Sequence, residues 1–388
     1  MIPPLSRRSA FPLEENALSR AIATRKLSGA LLLDLTLGNP TAAGLELDER
    51  ETLATLTTPG AMLYEPDPRG LLSARAAVAQ HLEAFGATVT PDQLFLTAST
   101  SEAYSFAFQV LADPGDEILV PAPSYPLLDW LASLAGIVVR RYPLAYDGAW
   151  HIDLPALAAA IGPRTRGVVV VSPNNPTGSY LSVSERDALR VLLGPRGIAL
   201  LSDEVFAEYP LVDRRDRVLT VAGERDMLTF AFSGLSKARA LPHFKLAWTA
   251  ITGPGSAEVR ERLTMVADTF LSLATPVQIA LPALLARQDL RLAVHERVRR
   301  NLEVLRVALG GSAATLLDVE GGWYAVVRLP SFRDEEAWVL DLLERGVLVH
   351  PGHFFDFEGG AFAVLSLLPL PKTFDDGVRL LVDVVAEG

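Results

Sequence analysis

Met227–Trp248 reads MLTFAFSGLSKARALPHFKLAW. It opens on an apolar run, Leu228–Phe232, suited to a buried strand, and passes through the turn formers Ser233-Gly234-Leu235-Ser236 to Lys237. A second apolar run, Leu246–Ile251, begins after Lys245. A lysine carried by a short loop off the end of a buried strand stands where a ligand in a crevice would meet it. Burial lowers the affinity of such an amine for its proton, and an amine in that state is suited to forming a Schiff base with a carbonyl. Taken alone, the lysine reads as an ordinary surface residue in a strand-to-strand loop. The chemical reading depends on what the rest of the chain brings to the same place.

Composition narrows the field. The chain has 388 residues, 49% of them apolar, which is ample for a large core and usual for two domains. A net charge of −11 argues against general nucleic-acid binding and against docking on an anionic membrane. There are no cysteines, so disulfides, thiolate zinc sites and cysteine nucleophiles are excluded, and a reducing, cytoplasmic setting is expected. No apolar run reaches the ~18 residues of a membrane span, and no signal peptide is read at the N-terminus. The six histidines show no metal-site spacing, so no metal is expected.

From residue 94 onward, short apolar runs alternate with helical patterns. The expected strands are 94–98, 117–121, 137–142, 167–171, 198–202, 228–232 and 246–252. Near-continuous apolar strands with helical crossovers imply a mostly parallel sheet covered on both faces. The last two strands lie too close in sequence for a helical crossover and are expected to run antiparallel or at an edge.

In such a sheet the ligand crevice opens at the carboxyl ends of the strands. Ser99-Thr100-Ser101 follows the first strand and offers hydroxyls and free amides at a helix start, a phosphate site or a simple N-cap. Tyr125 follows the second, with a ring able to stack on a flat ligand. Asn174-Asn175 lies in the turn after the fourth, Asp203 ends the fifth, and Lys237 follows the sixth. A carboxylate facing a crevice behind a buried strand is costly unless it meets a cation. An anion cradle, a flat aromatic, an amide, a carboxylate and an amine together match the needs of pyridoxal 5'-phosphate: phosphate, ring, phenolic oxygen, pyridinium nitrogen and aldehyde.

Four motifs carry a resemblance to the class I/II aminotransferases, pyridoxal-phosphate enzymes of fold type I. They are Gly38-Asn39-Pro40, the loop Tyr64–Gly70, Ser172-Pro173-Asn174-Asn175-Pro176-Thr177-Gly178 followed by Asp203-Glu204-Val205, and Ser233-Gly234-Leu235-Ser236-Lys237. The resemblance implies a three-layer α/β/α large domain over 45–275, with a mostly parallel seven-stranded sheet. It also implies a smaller α+β domain from 1–44 plus 276–388. Lys237, Asp203 and Tyr125 would form the catalytic set: Lys237 as the Schiff-base lysine and proton shuttle, Asp203 on the pyridinium nitrogen, Tyr125 stacked on the ring. Asn175 would bond the phenolic oxygen and the substrate. Ser99, Thr100, Ser101, Ser233, Ser236 and Lys245 would hold the phosphate, and Gly38 and Asn39 would contact the substrate. Tyr64 would reach the phosphate of a neighbouring subunit, which makes a homodimer the expected assembly.

The implied activity is transfer of an amino group between an amino acid or related amine and a 2-oxo acid. A C–S β-lyase, or another synthase or racemase on the same fold, is the alternative. The chain also departs from the family pattern. Lys245 stands where an arginine is usual, His243 where a glycine is usual, and Phe206 where many members carry a tyrosine. Val364 occupies the position of the arginine that clamps the substrate carboxylate. Either another cation, with Arg239, His243 and His353 as candidates, replaces that clamp, or the substrate is not a simple α-amino acid.

Overall fold

The computed structural model describes residues 5–11 and 16–387. Its centre is an eight-stranded sheet. From one edge to the other, its order is Leu94–Thr97, Ala247–Thr252, Thr229–Gly234, Ala199–Asp203, Thr165–Val171, Glu117–Ala122, Val138–Tyr146 and Trp150–Ile152. The five strands from Thr229–Gly234 to Val138–Tyr146 pair in parallel. Ala247–Thr252 runs antiparallel to both its neighbours and so lies inside the sheet, with Leu94–Thr97 as the edge. All seven expected strands are present. The eighth is a hairpin return, Trp150–Ile152, against the end of Val138–Tyr146. Its turn contains Asp147-Gly148, with Gly148 at φ 113°, a hairpin signal that the helix-crossover reading passed over.

Period-two alternation sorts the strand residues between two apolar layers. Ala199, Leu201, Phe230 and Ile118 pack with Phe108, Ala132 and Leu263 of the helices on one face. Leu200, Val168, Val170 and Leu119 pack with Val78, Leu189 and Leu193 on the other. The sheet is therefore sandwiched between helices, as a buried parallel sheet requires.

A separate four-stranded antiparallel sheet takes the order Thr315–Leu316, Tyr324–Leu329, Ala361–Ser366, His350–Pro351. The run 347–351 is divided between two sheets. Val347–Leu348 pairs in parallel with Leu33–Asp34, whereas His350–Pro351 joins the small sheet. Helices Asp289–Leu309, Glu335–Arg345 and Pro371–Glu387 complete this part, whereas Thr275–Ala286 packs on helix Leu72–Glu83. Among the described residues no helix is long and apolar enough to cross a membrane.

Candidate active site

The parallel strands all end at the same edge, and a cavity of about 460 Å³ opens there. Each wall comes from a different strand end. Ser99, Thr100 and Ser101 start the helix Thr100–Leu111, whose first amides point to the cavity mouth. Asp203 is the last residue of its strand. Lys237 sits in the one-turn helix Leu235–Ala238, directly after Gly234. Gly234 is required for packing: a Cβ there would lie 2.9 Å from the Cα of Ala247 on the neighbouring strand. Across the cavity, Gly38 and Tyr324 close the wall, and a Cβ at residue 38 would collide with the Tyr324 hydroxyl.

The electrostatics of the cavity set its chemistry. Burial pulls the Lys237 ammonium down to about 8, against the opposing pull of the Asp203 carboxylate. Its Nζ lies 4.9 Å from the Trp323 ring and 5.7 Å from the Phe206 ring. Burial pushes the Asp203 carboxyl up to about 6. The Val205 N–H, at 3.2 Å from Oδ1, and the Tyr104 hydroxyl, at 3.4 Å from Oδ2, pull it back. Tyr104 is itself buried against Phe232 at 4.4 Å, and that burial raises its phenol well above the usual value, so it stays a neutral donor. The Asn175 Oδ1 is buried and has no hydrogen-bond partner among the described residues. A buried, unpaired amide oxygen is costly unless a ligand completes it.

The expected site residues fall into two groups. Lys237, Asp203, Tyr125, Ser99, Thr100, Ser101, Asn175, Ser236, Lys245 and Gly38 all line this one cavity. Asn39, Ser233 and Tyr64 do not. The Asn39 Oδ1 accepts from the Thr41 N–H and hydroxyl, as a cap on the turn Pro40–Ala42. Ser233 lies within the strand Thr229–Gly234, half-buried. Tyr64 is 73% exposed and borders a separate shallow recess with Pro66 and Leu271. The reading missed Tyr104 altogether. Tyr104 lies in the second turn of the helix behind Ser99, and its place in the cavity depends on the rotation of that helix.

The three candidate replacements for a carboxylate clamp lie elsewhere. Arg239 is 2% exposed, with its guanidinium 2.9 Å from the Glu208 carboxylate and donating to the Leu285 carbonyl. His353 pairs with Glu335 at 2.8 Å. His243 lines a different hollow, with Leu47 and Phe244. None of the three lines the cavity of Lys237.

The residues present fit pyridoxal phosphate. A helix N-terminus with three hydroxyls and Lys245 suits a phosphate, the NH2 group of the Asn175 amide can donate to a ring oxygen, a carboxylate is set deep, and an amine of lowered pKa lines the same cavity. Fold and site together have the form of a doubly wound α/β protein with its crevice at the carboxyl ends of the strands. Residues 32–362 match the family model described as aminotransferase class I and II. The chain is 30% identical over 345 residues to the glutamate-pyruvate aminotransferase AlaA of Escherichia coli (strain K12), covering 85% of this chain and 84% of that protein. It is also 30% identical over 376 residues to an alanine aminotransferase of Mycobacterium bovis, covering 92% and 86%. A solved alanine aminotransferase from Pyrococcus furiosus superposes with a TM-score of 0.88 at 24% identity, over 99% of this chain and 100% of that one. The chain belongs to the class I and II aminotransferase family and is an aminotransferase, of a family that uses pyridoxal phosphate.

Proposed function

We propose that this chain is a pyridoxal 5'-phosphate-dependent aminotransferase that moves an amino group between an amino acid or related amine and a 2-oxo acid, with Lys237 as the Schiff-base lysine. The observation that carries the reading is the convergence of Lys237, Asp203, Asn175 and the helix start at Ser99–Ser101 on one cavity. The cofactor, when bound, supplies an electron sink next to the substrate carbon. The chain supplies the rest. Asp203, which lines the cavity, would hold the ring nitrogen and favour positive charge there. Asn175 donates from its amide to the ring oxygen, and Tyr125 covers the ring. Ser99, Thr100, Ser101, Ser236 and Lys245 hold the phosphate.

Lys237 has two tasks. Its free amine would hold the cofactor, and its Nζ, when not so engaged, would carry a proton to and from the substrate carbon. A pKa near 8 suits both, since a proton shuttle works best when its pKa lies near the working pH. Phe206 offers no hydroxyl to the ring oxygen, so Asn175 carries that contact alone. We take 45–275 as the cofactor-binding domain and 1–44 plus 276–388 as the smaller one. The working unit is a homodimer in which Tyr64, exposed beside Met62 and Leu63, reaches the phosphate held by the other subunit.

The test is an absorption spectrum of the protein with pyridoxal phosphate, before and after adding amine donors. The expected result is a visible band that a donor bleaches and a 2-oxo acid restores. Loss of the band with release of ammonia and no recovery would favour the C–S β-lyase reading. Absence of any band would remove the cofactor assignment.

A further inference from the structure

Tyr125 and Asn175 are carried by loops that leave two neighbouring parallel strands, Glu117–Ala122 and Thr165–Val171. The backbone ladder between those strands ends at Leu119 and Val168, three residues before Ala122 and Val171. Toward the cavity, side chains take over from the ladder. The Val169 carbonyl accepts from the buried Tyr142 hydroxyl at 2.6 Å.

Asn174 joins the two loops beyond that point. Its Nδ2 donates to the Pro123 carbonyl at 3.0 Å and to Thr177 Oγ1 at 2.9 Å, and its Oδ1 accepts from the Ser124 hydroxyl at 3.1 Å. Its backbone N–H donates to the Ser179 carbonyl, and its carbonyl accepts from the Gly178 N–H. Asn174, Ser124 and Thr177 are all buried, and every polar atom of Asn174 is engaged within the protein. Asn175 is its opposite: it lines the cavity, and its buried Oδ1 has no partner among the described residues. Ser124, the residue before Tyr125, is fastened a second time, its N–H donating to the Phe355 carbonyl at 2.9 Å.

We infer that Asn174 is a positioning residue for the transfer: through Pro123 and Ser124 it ties the Tyr125 loop to the Asn175 turn and so fixes both side chains against one bound ring. This rests on the cofactor reading and adds to it a residue outside the cavity lining. Asn174→Ala would leave the Pro123 carbonyl and the Ser124 and Thr177 hydroxyls each short of a buried partner, and an unmade buried bond is costly. The loops relieve that cost by shifting toward water, and Asn175 and Tyr125 shift with them.

The test follows the visible band of the cofactor-loaded protein across pH, with unfolding in denaturant measured alongside. The linkage at Lys237 shares one proton between its nitrogen and the ring oxygen, and a donor on that oxygen helps the proton leave. Asn175→Ala should therefore raise the pH at which the band changes by about one unit, since it removes a hydrogen bond to a charged group. Asn174→Ala and Ser124→Ala should each raise it by about 0.3 unit or more, a two-fold change in that proton's dissociation constant. Asn174→Ala should add nothing further once residue 175 is alanine, because it acts through Asn175. Lys237, Asp203 and Lys245, the charged groups among the described residues lining the cavity, are unchanged in every variant. Ser124→Ala removes a single bond and decides the matter even if Asn174→Ala does not fold. Lower stability with the band's pH unmoved, while Asn175→Ala moves it, would make Asn174 a purely structural residue and overturn the inference. Additive shifts from residues 174 and 175 would overturn it too. A protein that forms no visible band would instead overturn the cofactor reading beneath it.

Discussion

At the scale of the residue, burial moves Lys237 and Asp203 toward their neutral forms, the ammonium downward and the carboxyl upward. An ordinary lysine amine, with a pKa of about 10.4, is almost wholly protonated at neutral pH. Burial brings Lys237 to about 8, so about a tenth of it is free at neutral pH and half at pH 8. The rate at which pyridoxal phosphate becomes fixed to the protein should therefore rise with pH and level off above about 8, followed by the growth of the visible band. A rate still climbing in proportion to hydroxide at pH 10 would contradict the assignment. Tyr104 tunes the other member of the pair. Its hydroxyl stabilises the Asp203 carboxylate, so Tyr104→Phe should raise the Asp203 pKa above about 6. A buried bond to a charged group contributes ~1.5–3 kcal/mol, less at 3.4 Å, so release of cofactor at neutral pH should quicken several-fold. An unchanged release rate, measured by loss of the band on dilution, would mean that Tyr104 only fills space.

At the scale of the element, the one-turn helix Leu235–Ala238 is too short to hold its own shape, and its neighbours hold it. The Tyr209 hydroxyl donates to the Lys237 carbonyl at 2.7 Å. Two residues beyond the lysine, Arg239 is fastened to Glu208, which also meets His81 at 3.2 Å. Arg239→Ala would leave Glu208 with weaker partners in a buried setting, and breaking a buried pair in this way costs ~3–5 kcal/mol. The expected outcome is a large loss of stability in denaturant with little change in half-saturation by substrate; a selective loss of substrate binding would restore Arg239 as a clamp.

The same cluster has a pH signature. Burial works to raise the Glu208 carboxyl, but His81 and Arg239 outweigh it and hold it below the usual range. Its contribution to stability is therefore present above the unfolded pKa of about 4.3 and is lost as pH falls through the lower folded value. Arg239→Ala should flatten that part of the acid unfolding profile, and an unchanged profile would count against the pair.

At the scale of the whole molecule, the strands and their direction were legible because a buried parallel sheet writes itself as apolar runs. The crevice rule then located Lys237, Asp203, Asn175 and Ser99–Ser101 from strand ends alone. The failures have a common cause. Arg239 and Glu208 lie 31 residues apart and meet only through packing, so no local pattern marks Arg239 as already committed. Asn39, given a substrate contact by the resemblance alone, has its oxygen engaged by the Thr41 N–H and hydroxyl in the adjacent turn. Tyr104 needed the rotation of its helix, which strand ends do not give. The return strand Trp150–Ile152 breaks the rule of helical crossovers that a parallel sheet suggests, and its Trp150 packs in one apolar cluster with Val364 of the small sheet.

Tyr64 belongs to this scale too. It lies outside the cavity of its own chain, with Met62 and Leu63 exposed beside it. Light scattering should give the mass of a dimer, and Tyr64→Phe should loosen the cofactor without changing that mass; a monomer that retains its cofactor would contradict the shared site.

The most direct test of the central claim is to load the protein with pyridoxal phosphate, reduce it with borohydride and map the modified peptide by mass spectrometry. The account predicts one cofactor per chain, fixed to Lys237, and none fixed in Lys237→Ala. Label on Lys245 or on scattered surface lysines, with Lys237 unmodified, would contradict it.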